Sequence, residues 1–200
     1  MKLVIASRNQ HKVTEIKAML GKIAGLEIVS LDGYTAPEVS EDQETFQGNA
    51  AKKALETARY INETVLADDS GLMVDALHGA PGVYSARYAG AGATSRQLCE
   101  KLLRELINVP AARRTACFAT VLVLADPQKI LYTAEGRCAG LITEELRGNN
   151  GFGYDPVFYF PPLKKTFAEL SPEEKNKHSH RRRALENLLI QLKPEFSGGH

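Results

Sequence analysis

The sequence contains no tryptophan, only three cysteines and no apolar run near the roughly 20 residues that a membrane span needs. The cysteines, at positions 99, 117 and 138, are odd in number and far apart, which fits neither paired disulfides nor the close cysteine pairs of a zinc site. The 25 basic and 24 acidic residues nearly balance, so no global field draws the surface to nucleic acid or an anionic membrane. The N-terminal stretch is too short and too polar for a secretory signal. We therefore expect a soluble, cytoplasmic protein with no nucleic-acid or membrane partner.

The sequence also lacks a glycine-rich phosphate loop, a repeat of fixed period and any long low-complexity segment. A predicted strand at residues 3–6 is instead followed by a polar loop without glycine and then by a predicted helix. Unpaired amides at a helix N-terminus can hold a phosphate, and Ser7, Asn9 and Lys12 would add donors and positive charge. A plain connecting loop is the alternative.

Two adjacent carboxylates, Asp68 and Asp69, follow a short apolar run and precede Ser70 and Gly71. Carboxylates that lie close together raise each other's pKa or require a cation, so this pair suggests a metal site or a proton-transfer site. Asp, Ser and Gly are also preferred in turns for local reasons, and a solvated turn is the alternative. On either interpretation, the four residues are predicted to form a turn.

A helix is predicted to begin near Ser40, because Ser40 and Gln43 have the spacing of a capping box. The apolar stripe of this helix leaves a polar face opposite it. A solvated surface is the ordinary explanation of such a face, unless it lies against the two acids. The polar face consists of Glu41, Thr45, Asn49, Lys52 and Lys53.

The last third of the chain holds the segment Gly151-Phe152-Gly153-Tyr154-Asp155. Glycines on either side of Phe152 would let a flat ligand approach the backbone and stack on the ring, although a tight turn into a core strand explains the same residues. Ser171 to Glu174 predicts a capped helix start, with proline at the first position. The basic run 175–183 is typical of a solvated face or a weak nucleic-acid patch.

Strands and helices alternate near the N-terminus, and hairpin-like strands follow. The pattern predicts a single α/β domain over residues 1–193, with a twisted mixed sheet, two lobes and a central substrate cleft. Residues 194–200 are predicted to be a flexible tail.

Taken together, these segments have the order and spacing of one known family. The chain resembles the inosine triphosphate pyrophosphatase family from residue 2 to about residue 192. Each motif alone is weak, but their ordered combination is specific. The resemblance rests on Ser7-x-Asn9-x-x-Lys12, Glu41 with Thr45-Phe46 and Asn49, Ala67 to Leu72, Gly79 to Arg87, Gly151 to Pro156 and Ser179-His180-Arg181.

The resemblance implies an Mg²⁺-dependent homodimer that hydrolyses ITP, dITP or XTP to the monophosphate and pyrophosphate, and so keeps damaged purines out of DNA and RNA. It implies that Asp69 is the general base and that Glu41 and Asp69, with Asp68 alongside, hold the metal. The implied triphosphate ligands are Ser7, Asn9, Lys12 and Lys53, and Ser70 also contacts the substrate. The implied base-binding residues are Phe152, Gly153, Tyr154, Asp155, Lys175, His180 and Arg181.

Two other functions explain part of the pattern. A phosphatase of the haloacid dehalogenase type also places acids after an apolar strand, but it requires Asp-x-Asp, whereas these acids are adjacent. A non-catalytic nucleotide or RNA binder explains the basic run but leaves the acids without a role. One departure from the family pattern is that Arg182 and Arg183 follow Ser-His-Arg, where relatives often carry a small residue at the first of these positions.

Overall fold

The protein folds as an alternation of strands and helices, described by a computed structural model for residues 2–21, 23 and 25–196. The apolar runs form the strands β1 (Lys2–Ile5), β2 (Glu27–Ser30), β3 (Val65–Val74), β4 (Thr115–Ala125), β5 (Ile130–Ile142), β6 (Phe158–Phe160) and β7 (Lys165–Thr166). The helices are α1 (Gln10–Leu20), α2 (Phe46–Ile61), α3 (Ser95–Glu105), α4 (Pro172–His178) and α5 (His180–Phe196). Short 3₁₀ turns connect several of these elements. None of the described helices has the length and hydropathy needed to span a bilayer.

The strands form one seven-stranded sheet in the order β2-β1-β3-β4-β5-β6-β7. β1 is parallel to both β2 and β3, whereas β6 is antiparallel to β5 and β7. This is a single α/β domain, and the predicted mixed sheet is confirmed. Helix α5 continues to Phe196, so residues 194–196 of the predicted tail are helical, while residues 197–200 lie outside the described residues.

The chain divides into two compact units. Unit 1 comprises Met1–Asp69, Thr120–Gly136 and Arg181–His200, and unit 2 comprises Ser70–Ala119 and Arg137–His180. Strands β3, β4 and β5 contribute residues to both units. Two of the boundaries fall within motifs already described, between Asp69 and Ser70 and between His180 and Arg181.

Unit 1 has two apolar layers because its strands bury both faces. Alternate residues of a strand point to opposite sides, so Leu66 packs with α1 and α5, whereas Val65 and Ala67 pack with α2. Helix α2 contributes small side chains, Ala50 and Ala54 among them, which are fully buried. This alternation decides which helix each side chain of β3 faces.

Unit 2 is built on an aromatic cluster. The Phe118 ring lies 4.5 Å from that of Phe158, and Phe158 lies 4.9 Å from Phe167, in tilted arrangements that aromatic rings favour. Leucines of α3 and residues 72 and 74 of β3 complete this core. Helix α3 begins with a capping box, in which Thr94 accepts from the Gln97 amide and the Gln97 side chain accepts from the Thr94 amide.

The predicted turn at the two acids is wrong, because Asp68, Asp69, Ser70 and Gly71 all lie within β3. This strand has β1 on one side and β4 on the other in the sheet. β1 pairs with β3 only at Val65 and Leu66, so at the two acids the strand continues beside β4. The buried strand environment of the acids outweighs their local turn preference.

The predicted start of the second helix is also wrong. Helix α2 begins at Phe46, and its N-cap is Thr45, whose Oγ1 accepts from the Gly48 amide at 3.0 Å. The predicted box required Ser40 to accept from the Gln43 amide, but that amide donates to Oδ1 of Asn49. Glu41 therefore lies in the segment before the helix and not on its polar face.

Candidate active site

The two adjacent acids face opposite sides of β3. Asp68 shares the face of Leu66 and contacts residues of α1 and α5, whereas Asp69 shares the face of Ala67 and contacts α2. Both are buried, with 1% and 4% of their surface exposed. Their hydrogen-bond and ion-pair partners differ, although the charges of Lys12 and Lys53 act on both carboxylates.

Asp68 is the shared counter-ion of two cations. Its Oδ2 lies 3.2 Å from Lys12 Nζ and 3.3 Å from Nη2 of Arg181. Burial alone would raise the pKa of Asp68, but the positive charges of Lys12, Arg181 and Lys53 outweigh burial and hold that pKa well below its usual range. Asp68 is therefore a permanent anion at neutral pH.

Arg181 is 1% exposed and bridges two carboxylates. Besides Asp68, it contacts Glu15 of α1 through Nη1. The charges of Asp68 and Glu15 outweigh burial and raise the pKa of Arg181. Sequence analysis missed Glu15, although it stands three residues after Lys12, so both side chains lie on one face of a helix.

Asp69 is held by helix α2. The Nδ2 group of Asn49 donates to Asp69 Oδ2 at 2.9 Å, and the Asp69 carbonyl accepts from Thr120 Oγ1 at 3.2 Å. Burial, aided by the negative charge of Glu41, raises the pKa of Asp69, against the opposing effects of Lys12, Lys53 and the Asn49 hydrogen bond. A buried acid with a raised pKa is typical of a group that exchanges protons.

Lysines flank this acid. Lys53, one helical turn after Asn49, forms an ion pair with Glu41, and the neighbouring Lys52 pairs with Asp42 at 2.8 Å. Burial opposes the charge of Lys53, but Asp68, Glu41 and Asp69 together raise its pKa. The polar face of α2 is thus partly built into the site and is not only a solvated surface.

The loop before α1 is placed as predicted, but its amides are not all available for a phosphate. Asn9 caps the helix, and its Oδ1 accepts from the amides of His11 at 3.0 Å and Lys12 at 3.3 Å. Ser7 is buried, and its Oγ accepts from the Asn9 amide. The expectation of unpaired first-turn amides is wrong at these two positions, which leaves side chains of the loop as the principal donors.

The described residues offer few ligands for a divalent metal. In residues 2–21, 23 and 25–196, no group of three or more His, Cys, Asp and Glu side chains is arranged to hold a metal ion. Mg²⁺ keeps several waters and takes only one or two protein carboxylates. Glu41 and Asp69 suit this demand, because the charge of Glu41 raises the pKa of Asp69, a repulsion that a cation relieves. Asp68 is engaged with Lys12 and Arg181 on the other face of β3.

In unit 2, a buried ion pair organises the predicted base-binding segment. Lys175 Nζ lies 2.6 Å from Asp155 Oδ2, which also accepts from the Phe152 amide at 2.8 Å. The same ammonium group lies 4.5 Å from the centre of the Phe152 ring, a cation–π distance. Gly151 has φ +74°, and a Cβ there would clash with the Asp155 carboxylate, so the segment requires glycine at this position.

The remaining predicted site residues of unit 2 differ in their contacts and burial. Tyr154 belongs to the core and donates from its hydroxyl to the Ser85 carbonyl at 2.9 Å. The Gly153 amide donates to Ser95 Oγ at 2.8 Å. The His180 ring stacks on Phe118, with centroids 4.9 Å apart and planes 14° apart. Ser70 is half-buried on β3.

The basic run 175–183 is divided between two helices. Ser179, which is extended, separates α4 from α5, so Lys175 and Arg181 lie on different helices. Arg182 pairs with Glu186 one turn further along α5 at 2.7 Å. The run is therefore not one continuous basic face.

Fold and site together define an α/β protein whose buried acids and flanking lysines are suited to a polyphosphate and a cation. The chain belongs to the Ham1 family, whose model matches residues 3–191.

Among its relatives, a dITP/XTP pyrophosphatase of Desulforamulus reducens is 51% identical over 192 residues, covering 94% of each chain. A dITP/XTP pyrophosphatase of Geobacillus kaustophilus is 50% identical over 198 residues, covering 98% of this chain and 96% of the relative.

Solved structures agree in fold. The Ham1 protein of Staphylococcus aureus has a TM-score of 0.86 at 40% identity and covers 98% of this chain and all of its own. The HAM1 protein of Coxiella burnetii has a TM-score of 0.87 at 39% identity, covering 97% and 99% of the two chains. The coverage means that the likeness extends over both units.

Proposed function

We propose that this protein is a nucleoside triphosphate pyrophosphatase that acts on non-standard purine nucleotides, namely dITP, XTP and ITP. Water attacks the α-phosphorus, the bond to the bridging oxygen of the β-phosphate breaks, and the products are the monophosphate and pyrophosphate. Relatives about 50% identical over nearly the whole chain carry the name dITP/XTP pyrophosphatase, which supports this choice of substrate.

The observation that carries the proposal is the divergence of the two acids. Asp69 has a raised pKa and lies beside Glu41 and Lys53, whereas Asp68 has a lowered pKa and is neutralised by two cations. Neighbouring acids whose pKa values move apart commonly divide the work of a reaction. We assign Asp69 as the base that accepts the proton of the attacking water, and Asp68 as a fixed anion.

The triphosphate carries about four negative charges, which require compensation. We assign this task to Lys12 and Lys53, aided by Ser7 and Asn9, with Ser70 next to the base as a further contact. Mg²⁺, held by Glu41 and Asp69, would supply positive charge that offsets the charge on the departing pyrophosphate. Lys53 already opposes a carboxylate, so it is fully charged when substrate arrives.

We assign recognition of the purine to Phe152, Gly153, Tyr154, Asp155, Lys175, His180 and Arg181. Phe152 offers a ring face, while the buried Tyr154 and Asp155 act by shaping the segment. A guanidinium group only donates hydrogen bonds, which suits the 6-keto oxygen of a purine. An adenine 6-amino group would leave such donors unpaired, at a cost of about 1–3 kcal/mol each.

We also propose that the protein works as a homodimer in the cytoplasm on free nucleotides. Its nearly balanced charge supports a local rather than a global anion site.

The test is to incubate the protein with dITP, XTP, ITP, ATP and GTP, with and without Mg²⁺, and to identify the products. We expect pyrophosphate from dITP and XTP only when Mg²⁺ is present, and loss of at least about 100-fold in kcat for Asp69→Asn. Asp126→Asn is a matched control, because Asp126 accepts backbone hydrogen bonds in the turn after β4, which asparagine also accepts.

Other outcomes separate the alternatives. Orthophosphate as the direct product would favour a phosphatase, although acids on opposite faces of β3 do not reproduce the Asp-x-Asp arrangement of the haloacid dehalogenase type. Nucleotide binding without hydrolysis would favour a non-catalytic binder. Activity that is indifferent to Asp69→Asn would remove the assignment of Asp69 as the base.

A further inference from the structure

Asn49 occupies an unusual position for an amide on a helix. It is 1% exposed on α2, and it bonds to two different segments of the chain. Its Oδ1 accepts from the Gln43 amide at 2.9 Å, and its Nδ2 donates to Asp69 Oδ2 at 2.9 Å. A buried amide with both ends engaged has a fixed orientation, since breaking either bond exposes an unsatisfied polar group.

The two partners determine the orientation of the Asn49 side-chain amide. A backbone N–H can only donate, and an ionised carboxylate can only accept, so the oxygen of Asn49 must face Gln43 and the nitrogen must face Asp69. Rotating the amide by half a turn would point its nitrogen at the Gln43 N–H and its oxygen at the Asp69 carboxylate, and neither contact would be a hydrogen bond. Neither aspartate nor alanine at position 49 provides both bonds.

The segment that carries Glu41 is packed against the same turn of α2. A Cβ on Gly48 would lie 2.9 Å from the Cβ of Gln43, so the absence of a side chain at Gly48 permits this close approach. Lys52 also contacts this segment, through an exposed ion pair with Asp42 that adds little stability. Glu41 stands two residues before Gln43, and its own partner Lys53 lies one turn after Asn49.

We infer that Asn49 is a positioning residue, which sets the rotamer of Asp69 and ties that carboxylate to the segment bearing Glu41. The inference rests on the proposed function in that Asp69 is the proton acceptor there. Without the Asn49 bond, Asp69 keeps its place on β3, but its Oδ2 loses the hydrogen bond that directs it toward α2. Loss of the correct orientation of a catalytic group commonly reduces the rate of the chemical step much more than substrate affinity.

The decisive variant is Asn49→Asp. It retains an oxygen for the Gln43 amide but replaces the donor with an oxygen that repels Asp69. We expect kcat for dITP to fall at least about tenfold with KM within about threefold, while the Gln43 amide keeps its protection from hydrogen exchange. Thr57→Val is the matched control, because Thr57 is a buried polar residue of the same helix, and its kcat should not change.

A charge swap separates positioning from simple structural support. In the double variant Asn49→Asp with Asp69→Asn, the amide introduced on β3 can donate to the carboxylate introduced on α2, so the thermal midpoint should recover toward that of the wild type. Activity should stay lost, because the carboxylate is on the wrong element. Recovery of activity in the swap, or wild-type kcat in Asn49→Asp, would overturn the inference.

Nuclear magnetic resonance of the wild-type protein, without nucleotide or metal, gives a readout independent of turnover. The side-chain NH₂ of Asn49 should exchange with solvent much more slowly than that of the exposed Asn108, and its signal should move in Asp69→Asn. Rapid exchange, or no response to Asp69→Asn, contradicts the inference even if Asn49→Asp does not fold. Failure of the wild type to release pyrophosphate would instead refute the proposed function and leave this spectrum to decide the role of Asn49.

Discussion

At the residue scale, the chemistry of β3 depends on alternation. Asp68 and Asp69 are neighbours in sequence, yet one faces the cations Lys12 and Arg181 and the other faces Asn49. Two acids of the same type therefore acquire opposite pKa shifts from different surroundings. For Asp68, the counter-charges come from the side chains of Lys12 and Arg181.

Glu15 provides a test of the buried charge network. Glu15→Gln leaves Arg181 with one carboxylate partner in place of two, in a site where Arg181 is 1% exposed. Because a buried charge loses a charged hydrogen-bond partner, we expect the free energy of unfolding to fall by about 1–3 kcal/mol. Urea denaturation should show a lower midpoint with an unchanged slope.

The control for this prediction is Arg182→Ala. Arg182 forms an i,i+4 pair with Glu186 on the exposed part of α5, and such pairs contribute little. Its midpoint should change far less than that of Glu15→Gln. Equal shifts in the two variants would mean that the buried network adds nothing to stability beyond a surface pair.

At the element scale, the start of α2 is decided by a contact that sequence spacing does not show. Thr45→Ala removes the N-cap acceptor of the Gly48 amide, so we expect a loss of about 1 kcal/mol in the free energy of unfolding. Ser40→Ala should have almost no effect, since the Gln43 amide bonds to Asn49. Denaturant midpoints of the two variants measure the difference, and a larger loss for Ser40→Ala would restore the start predicted from sequence.

Elements whose signals are local were predicted well. The helix start predicted at Ser171 depends on Glu174, three residues away, and the capping box of α4 is formed. The start of α2 and the course of β3 depend on residues elsewhere in the fold, so turn and cap preferences gave the wrong answer there. For β3, the neighbouring strand β4 and the burial of the two acids override the preference of Asp, Ser and Gly for turns.

The candidate site, too, depends on contacts between residues that are distant in sequence. Residue identities and their order were enough to indicate the family, which the comparisons confirm. The partner of Arg181 was missed because Glu15 is 166 positions away in sequence. Nor does sequence tell which face of a strand an acid occupies until the apolar layers on each side are known. Hence the roles of Asp68 and Asn49 emerged only from their contacts.

At the scale of the whole molecule, the two acids of β3 should give stability two opposite dependences on pH. The pKa of Asp68 is lowered by folding, so its contribution is present above the unfolded value of about 3.9 and is lost as pH falls through the folded value. The pKa of Asp69 is raised, so the folded protein binds that proton more tightly. Lowering the pH from neutral toward about 3.9 therefore adds stability through Asp69.

Urea midpoints measured from pH 7 to pH 2.5 in the presence of a chelator should resolve both effects. Differences between each variant and the wild type matter, because other carboxylates titrate in the same range. Asp69→Asn should remove part of the gain in stability between neutral pH and about pH 4, whereas Asp68→Asn should remove part of the loss below about pH 4. Difference profiles of the same sign in the two variants would show that the acids share one environment, contrary to their placement on opposite faces of β3.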